Sequence, residues 1–412
     1  MRIAQVAPLY ESVPPKCYGG TERVVSYLTE ELVRQGHDVT LFASGDSVTR
    51  ARLVAPCTRA LRLDEKAIDP LAHHILMLEL VWKEAADFDV VHCHVDYLHF
   101  PIFRRLEVPN VTTLHGRLDI PDLAGLYKEF RDIPLVSISD AQRKPLWWAN
   151  WKGTVYHGLP EDLYPFYRAP GSYLAFLGRI SPEKRVDRAI EIARRLGMPI
   201  KIAAKVDKVD REYFERVVEP LLAYPFVEYV GEIGESEKRE FLGKAYALLF
   251  PIDWPEPFGL VMIEAMACGT PVIAYRRGSV PEVMTDGVTG FVVDTLDDAV
   301  RAVEQVGSLD RSKIREVFET RFSARRMAGD YVKVYQRLIQ EARSFRELGR
   351  VSVPVFGPNM GAIPPASVLR SGPEAAAPGR DLELSPPPPV TNLSPGPGPR
   401  PRNHGHRVHP RG

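Results

Sequence analysis

His157-Gly-Leu-Pro-Glu-Asp-Leu-Tyr-Pro-Phe-Tyr-Arg-Ala-Pro-Gly171 decides how this chain is organised. Three prolines and two glycines within fifteen residues make it a linker rather than a helix or strand. The same pattern runs on both sides of it. Upstream, short apolar runs at residues 3–7, 39–43, 90–93, 111–114, 135–138 and 153–156 read as strands. Helical periodicity lies between several of them, clearest at 21–34 and 71–86. Downstream the pattern restarts, with runs at 174–177, 200–204, 227–230, 247–251, 272–274 and 291–293. Strands alternating with helices predict parallel sheets covered on both faces. The fold class is therefore α/β, with two Rossmann-like, doubly wound domains facing across a cleft. Ligands of such sheets bind beyond the carboxyl ends of the strands.

The expected boundaries are an N-terminal domain over 1–160, a second over 161–322, a C-terminal helix over 323–349 and a tail over 350–412. Ser323 caps the last helix, which carries Met327, Tyr331, Val334, Tyr335, Leu338 and Ile339 on one stripe. The tail holds 15 of the 37 prolines, a composition that cannot bury a core and reads as disordered. It also holds seven Arg against three acidic residues, so the remaining 349 residues carry a mildly acidic balance, 46 basic to 50 acidic. That body is a poor match for nucleic acid, which wants a basic face. Four cysteines without a Cys-x-x-Cys suit free thiols in a reducing cytoplasm. Met1 leads straight into a strand-like run, so no signal peptide is expected. No apolar run reaches membrane-spanning length, which leaves a peripheral membrane contact open.

Glu256-Pro-Phe-Gly-Leu-Val-Met-Ile-Glu264 carries the chemistry. Pro257 suits a first helical position and Gly269 the residue just past the end. With Glu256 at the helix mouth and Glu264 two turns in, the carboxylates lie roughly 12 Å apart along the axis. That is about the separation of the sugar ring and the ribose in an extended nucleotide-sugar. The uncapped amides of Phe258, Gly259 and Leu260 would lie between them, where a diphosphate is welcome. Glu264 is surrounded by Leu260, Val261, Met262, Ile263, Ala265, Met266 and Ala267, apolar on every face, which marks a buried helix. A carboxylate there needs a partner, and a structural arginine is the plainer alternative to a ligand.

The other candidates are weaker singly. Gly19-Gly20 precedes a helix and lets a backbone come close to a ligand, though a simple turn uses glycines equally well. No G-x-G-x-x-G is present, which counts against a nicotinamide or flavin enzyme. His115 ends a strand and so faces the cleft. In Leu177-Gly-Arg-Ile-Ser-Pro-Glu-Lys-Arg185, Ser181 reads as an N-cap and Pro182 as the first helical residue. Lys184 then sits where the helix dipole disfavours a cation, unless Glu183 and Asp187 or a bound diphosphate offset it. His92-Cys-His94 with His99, His73 and His74 invites a metal reading, but no further ligand has recognisable spacing.

Over residues 1 to about 346 these features resemble the retaining glycosyltransferases of family 4, the glycogen synthase and mannosyltransferase-like group 1 enzymes of GT-B fold. The specific part is the Glu-x7-Glu pair, supported by Gly178-Arg179 with Lys184, by Gly19-Gly20, by His115, and by Gly278-Ser-Val-Pro-Glu282 followed by Gly287-Val-Thr-Gly290. The resemblance implies a hexosyltransferase with its nucleotide-sugar donor in the second domain and a hydroxyl acceptor largely in the first. It implies contacts from Glu256 to the donor sugar, from Glu264 to the ribose and from Arg179 and Lys184 to the diphosphate. His115 would approach the reacting sugar, and the last helix would cross back to brace the first domain. Many members carry a second glycine pair where this chain has Gly278-Ser279. The reading is transfer to an acceptor hydroxyl with retention, with no cofactor and no metal. The alternatives are an epimerase of the same fold acting on the free nucleotide-sugar, and a nucleotide- or sugar-binding protein without turnover.

Overall fold

The computed structural model describes residues 1–16 and 19–351. Cys17 and the expected disordered tail from 352 on lie outside the described residues. Seven parallel strands form the first sheet: β1 (Arg2–Val6), β2 (Asp38–Phe42), β3 (Arg52–Val54), β4 (Val90–Cys93), β5 (Asn110–Thr113), β6 (Leu135–Ser137) and β7 (Trp151–Thr154), in the order β3-β2-β1-β4-β5-β6-β7. Six more form the second: β8 (Tyr173–Ile180), β9 (Ile200–Val206), β10 (Val227–Gly231), β11 (Ala245–Phe250), β12 (Val272–Tyr275) and β13 (Gly290–Val293), in the order β10-β9-β8-β11-β12-β13. Each sheet reverses its winding once, between β1 and β4 and between β8 and β11. These are the switch points where doubly wound sheets open a crevice at their carboxyl ends.

Helices cover both sheets, as apolar parallel strands require. The first-domain helices α1 (Gly20–Arg34) and α2 (Pro70–Glu84) fall where the periodicity predicts, and Asp69 caps α2 by accepting from the amides of Leu71 and Ala72. The second-domain helices that bear on the site are α3 (Val186–Leu196), α4 (Glu235–Gly243) and α5 (Leu260–Ala267). The last, α6 (Ala324–Val351), packs across α1. Ser323 caps it, its Oγ 3.3 Å from the Arg326 amide.

α6 also supplies hydroxyls to polar residues that β1, β4 and β5 bury. Tyr335 Oη lies 2.7 Å from His92 Nδ1 and accepts from Gln5 Nε2 at 3.1 Å, and Tyr331 Oη lies 2.9 Å from Thr113 Oγ1. Gln5, His92 and Thr113 are fully buried. Without those tyrosines each would carry an uncompensated polar group. Among the described residues no helix is long and apolar enough to cross a membrane.

Two expected helix starts move. Pro257 is not the first helical residue: Gly259 takes a left-handed φ of 82° and α5 begins at Leu260. Glu264 is thus one turn into α5, and Phe258 stands ahead of it. Ser181 does not cap a helix either. Residues 181–184 form a turn closed by the Lys184 amide on the Ser181 carbonyl at 3.1 Å, Arg185 adopts a left-handed φ of 55°, and α3 starts at Val186. The Asp253 amide, donating to the Glu183 carbonyl at 2.8 Å, pins this turn to the loop after β11, and that tertiary bond overrides the local capping signal.

Candidate active site

The carboxyl ends of the two sheets enclose a cavity of about 760 Å³. Gly20, His115, Arg179, Lys184, Glu256, Phe258, Gly259, Leu260 and Glu264 all line it. The sheets are joined around it. Ser139 Oγ, after β6, donates to the Pro257 carbonyl at 2.6 Å, and the amides of Asp140 and Ala141 donate to the Glu282 carboxylate at 2.7 and 2.6 Å.

Glu256 is buried and held from three directions. Its Oε2 accepts from Lys184 Nζ at 2.5 Å and from Trp254 Nε1 at 2.8 Å. Its backbone is gripped by the 277–279 turn: the Ser279 amide donates to the Glu256 carbonyl at 2.9 Å, and Ser279 Oγ donates to the Phe258 carbonyl at 2.8 Å. Gly278, at φ 53°, passes so close that an added Cβ would sit 2.3 Å from the Glu256 carbonyl oxygen. The Gly278-Ser279 pair therefore shapes the Glu256 loop from behind. Lys184 Nζ stands over the Trp254 ring, 4.8 Å from its centroid.

Glu264 is 3 % exposed, and the side chain that holds it is a lysine, where the plainer alternative to a ligand named an arginine. Lys238 Nζ of α4 lies 3.0 Å from its Oε1 and 3.7 Å from Glu235. Glu235 in turn binds Arg23 of α1 and accepts from the Tyr164 hydroxyl. Charges thus alternate from Glu264 through Lys238 and Glu235 to Arg23, crossing from the second domain to the first. Arg179, near the end of β8, donates to Glu183 at 2.6 Å and has Asp207 and Asp210 each at 3.6 Å. Glu183 thus offsets Arg179 and not Lys184, whose partner is Glu256, while Asp187 pairs with Arg185.

Gly20 opens α1 opposite α5; a Cβ there would lie 3.6 Å from Leu260 Cδ1. Phe258 is 2 % exposed and packs edge-on against His157, with centroids 4.7 Å apart. His115 stacks on the other side of His157, and its Nε2 lies 2.9 Å from His94 Nδ1. His94 Nε2 lies 2.8 Å from Gln5 Oε1, so with the side-chain amide so oriented His94 carries its proton on Nε2 and accepts from His115 Nε2–H. His115 Nδ1 is then bare, covered, and without a hydrogen-bond partner among the described residues. Burial pushes the His115 imidazole down to about 3 and keeps His94 and His157 neutral as well. Of the histidines that invited a metal reading, His92 bonds to the Tyr335 and Thr113 hydroxyls, His94 to His115 and Gln5, and His74 to the Leu9 amide and the Pro70 carbonyl. His99 Nε2 likewise meets Thr112 Oγ1 at 2.7 Å.

Sequence reasoning missed Lys238, Trp254, His94, His157 and Lys205 as cavity residues. Lys238 lies in Glu-Ser-Glu-Lys-Arg-Glu, which reads as a solvated helix face. Only His94, two residues after His92 on one strand, carried a usable signal.

Two doubly wound domains meeting over the Glu-x7-Glu loop make a GT-B fold, and the chain belongs to the group 1 glycosyltransferases. Residues 169–321 match the family described as glycosyl transferases group 1, and residues 18–154 the one described as glycosyltransferase family 4. A phosphatidyl-myo-inositol mannosyltransferase of Mycolicibacterium smegmatis is 26 % identical over 359 residues, 79 % of this chain and 89 % of that one. Among solved structures, a glycosyltransferase involved in avilamycin A biosynthesis, AviGT4, shares the fold with a TM-score of 0.64 at 24 % identity, covering 82 % of this chain and 98 % of its own. Anabaena HepE in complex with UDP-glucose does so with a TM-score of 0.61 at 16 % identity, covering 84 % and 100 %.

Proposed function

We propose that this glycosyltransferase is a retaining hexosyltransferase, carrying a sugar from a nucleotide-diphosphate sugar to an acceptor hydroxyl without a divalent metal. The observation that carries the reading is that Glu256, Glu264, Arg179 and Lys184 meet on one cavity, each carboxylate already held by a lysine. In the donor complex Glu264 accepts from the ribose hydroxyls and Glu256 from the sugar hydroxyls. Arg179 and Lys184 turn to the diphosphate, aided by the amides at the start of α5. Charge grows on the diphosphate as the glycosidic bond breaks, so these contacts strengthen toward the transition state. His115, neutral, comes up to the reacting sugar from the first domain and brings no charge that would oppose an oxocarbenium-like centre. Retention rests on the resemblance to family 4, and the acceptor hydroxyl enters from the first domain.

The test is nucleotide release from a panel of nucleotide-sugars, with and without candidate acceptors, before and after exhaustive chelation. Release that rises only when acceptor is added, survives chelation and yields product with the donor's anomeric configuration supports the reading. Interconversion of the free donor without acceptor would make the protein an epimerase. Activity restored by magnesium or manganese after chelation would refute metal independence.

A further inference from the structure

Glu264 marks where the ribose lies, and the route from there to the base is short. Its partner Lys238 belongs to α4, which follows β10 through Glu232, Ile233 and Gly234. In the sheet register Gly231 of β10 stands opposite Ala203 of β9, so Glu232 comes beside Ala204 and Lys205 at the ends of adjacent strands. Lys205 has Arg179 of β8 as its other neighbour. Ala203, Ala204, Lys205, Glu232 and Ile233 all line the cavity. A nucleotide with its ribose on Glu264 and its diphosphate turned to Arg179 and Lys184 sets its base on this rim.

The rim has the form of a base platform. Ala203 and Ala204 are buried and small, Ile233 gives an apolar wall, and two opposite charges stand at the edge. Glu232 is exposed and makes no hydrogen bond or ion pair with any described residue. Lys205 Nζ is 3.2 Å from Asp207, the same carboxylate that stands 3.6 Å from Arg179, which tethers the lysine at the strand end.

We propose that Glu232 and Lys205 read the base and that the donor is a guanosine-diphosphate sugar. This rests on the nucleotide-sugar reading above and adds the base to it. A carboxylate has only acceptors and is best met by two adjacent donors, which it receives with both oxygens. Guanine presents such a pair, N1–H and the N2 amino group. On the adjoining edge it carries O6 and N7, both acceptors, which suit an ammonium. Uracil alternates O2, N3–H and O4, so the second carboxylate oxygen would face a carbonyl. Adenine sets the N1 lone pair beside its amino group and meets the same conflict.

Calorimetric titration of the full chain with GDP, IDP, UDP and ADP tests this. GDP should bind about tenfold or more tighter than UDP and ADP. IDP lacks the N2 amino group and should bind about tenfold more weakly than GDP. Glu232→Gln should bring GDP and IDP to within about twofold of each other, and Lys205→Met should weaken both together, because they share O6 and N7. Both positions are on the rim, so unchanged melting temperatures of the free variants would show that the fold is intact. UDP or ADP binding as tightly as GDP, or a GDP–IDP gap that Glu232→Gln leaves untouched, would overturn the assignment of the base alone. Failure of all four nucleotides to bind would overturn the nucleotide-sugar reading itself, and the base with it.

Discussion

Replacing Glu264 by Gln keeps the shape of the side chain and removes its charge. The carboxylate is 3 % exposed and has Lys238 Nζ at 3.0 Å. Two separate costs follow. In the free protein Lys238 loses its nearer partner but keeps Glu235 at 3.7 Å, so the charge is not stranded. The loss of folding stability should be about 1 kcal/mol, well short of the roughly 3–5 kcal/mol of an abandoned buried charge. In the complex the ribose hydroxyls lose an ionised acceptor, worth about 1.5–3 kcal/mol, or about a 10- to 150-fold loss of nucleotide affinity. Glu256→Gln is the matched control. If its partner is the sugar, free nucleotide diphosphate should bind within about twofold of wild type while transfer falls by about tenfold or more. Isothermal titration with the nucleotide diphosphate that wild type binds best, alongside initial rates, reads both variants. Equal loss of nucleotide affinity in the two, or none in Glu264→Gln, would refute the division of roles.

Four more outcomes follow from the same geometry. Lys184→Ala should lower the melting temperature of the free protein, by about 1–3 kcal/mol of stability, because Glu256 loses its 2.5 Å partner; an unchanged or higher melting point would refute this. The same variant should lose affinity for nucleotide diphosphate more than for monophosphate, and equal losses would show that Lys184 does not meet the departing phosphate. Gly278→Ala forces a left-handed residue and a Cβ against the Glu256 carbonyl, so it should cost at least about 1–2 kcal/mol and reduce transfer; wild-type rates would mean the turn is dispensable. Burial pushes His99 and His115 down to about 3 from the ordinary histidine range, so only the unfolded chain takes up their protons as pH falls below about 6.5. Each should therefore cost about 1.4 kcal/mol of stability per pH unit between about 6.5 and 3, and a melting temperature equal at pH 7 and pH 5 would contradict it.

The sheets were legible because parallel strands covered on both faces must be almost continuously apolar. Val-Val-His-Cys and Val-Ile-Ala-Tyr announce β4 and β12 without help from context. The three-residue edge strand β3, Arg-Leu-Val, has no such signature, since one side of an edge is left open. Glu264 stood out because a carboxylate in an apolar helix is costly, and Glu256 by its spacing from it. Lys184 stood out too, though not as the partner of Glu256, 72 residues away; Lys238, 26 residues from Glu264, did not, because its segment looks solvated. The misplaced start of α3 has the same origin. Ser-Pro-Glu-Lys carries every local sign of a helix N-terminus, and a backbone bond from Asp253, far along the chain, holds it in a turn instead.

The tyrosines of α6 set a schedule for making the protein. Gln5 leaves the ribosome 330 residues ahead of the Tyr335 hydroxyl it donates to. At about 5–20 residues per second, the socket on β1 waits roughly 16–66 s for its last partner, and those on β4 and β5 roughly 11–49 s. During that interval the nascent first domain holds buried polar groups that only solvent or a chaperone can satisfy. α6 therefore acts as a closing pin, and a ribosome that stalls before it releases a chain that has every strand described above but is unsealed at its centre.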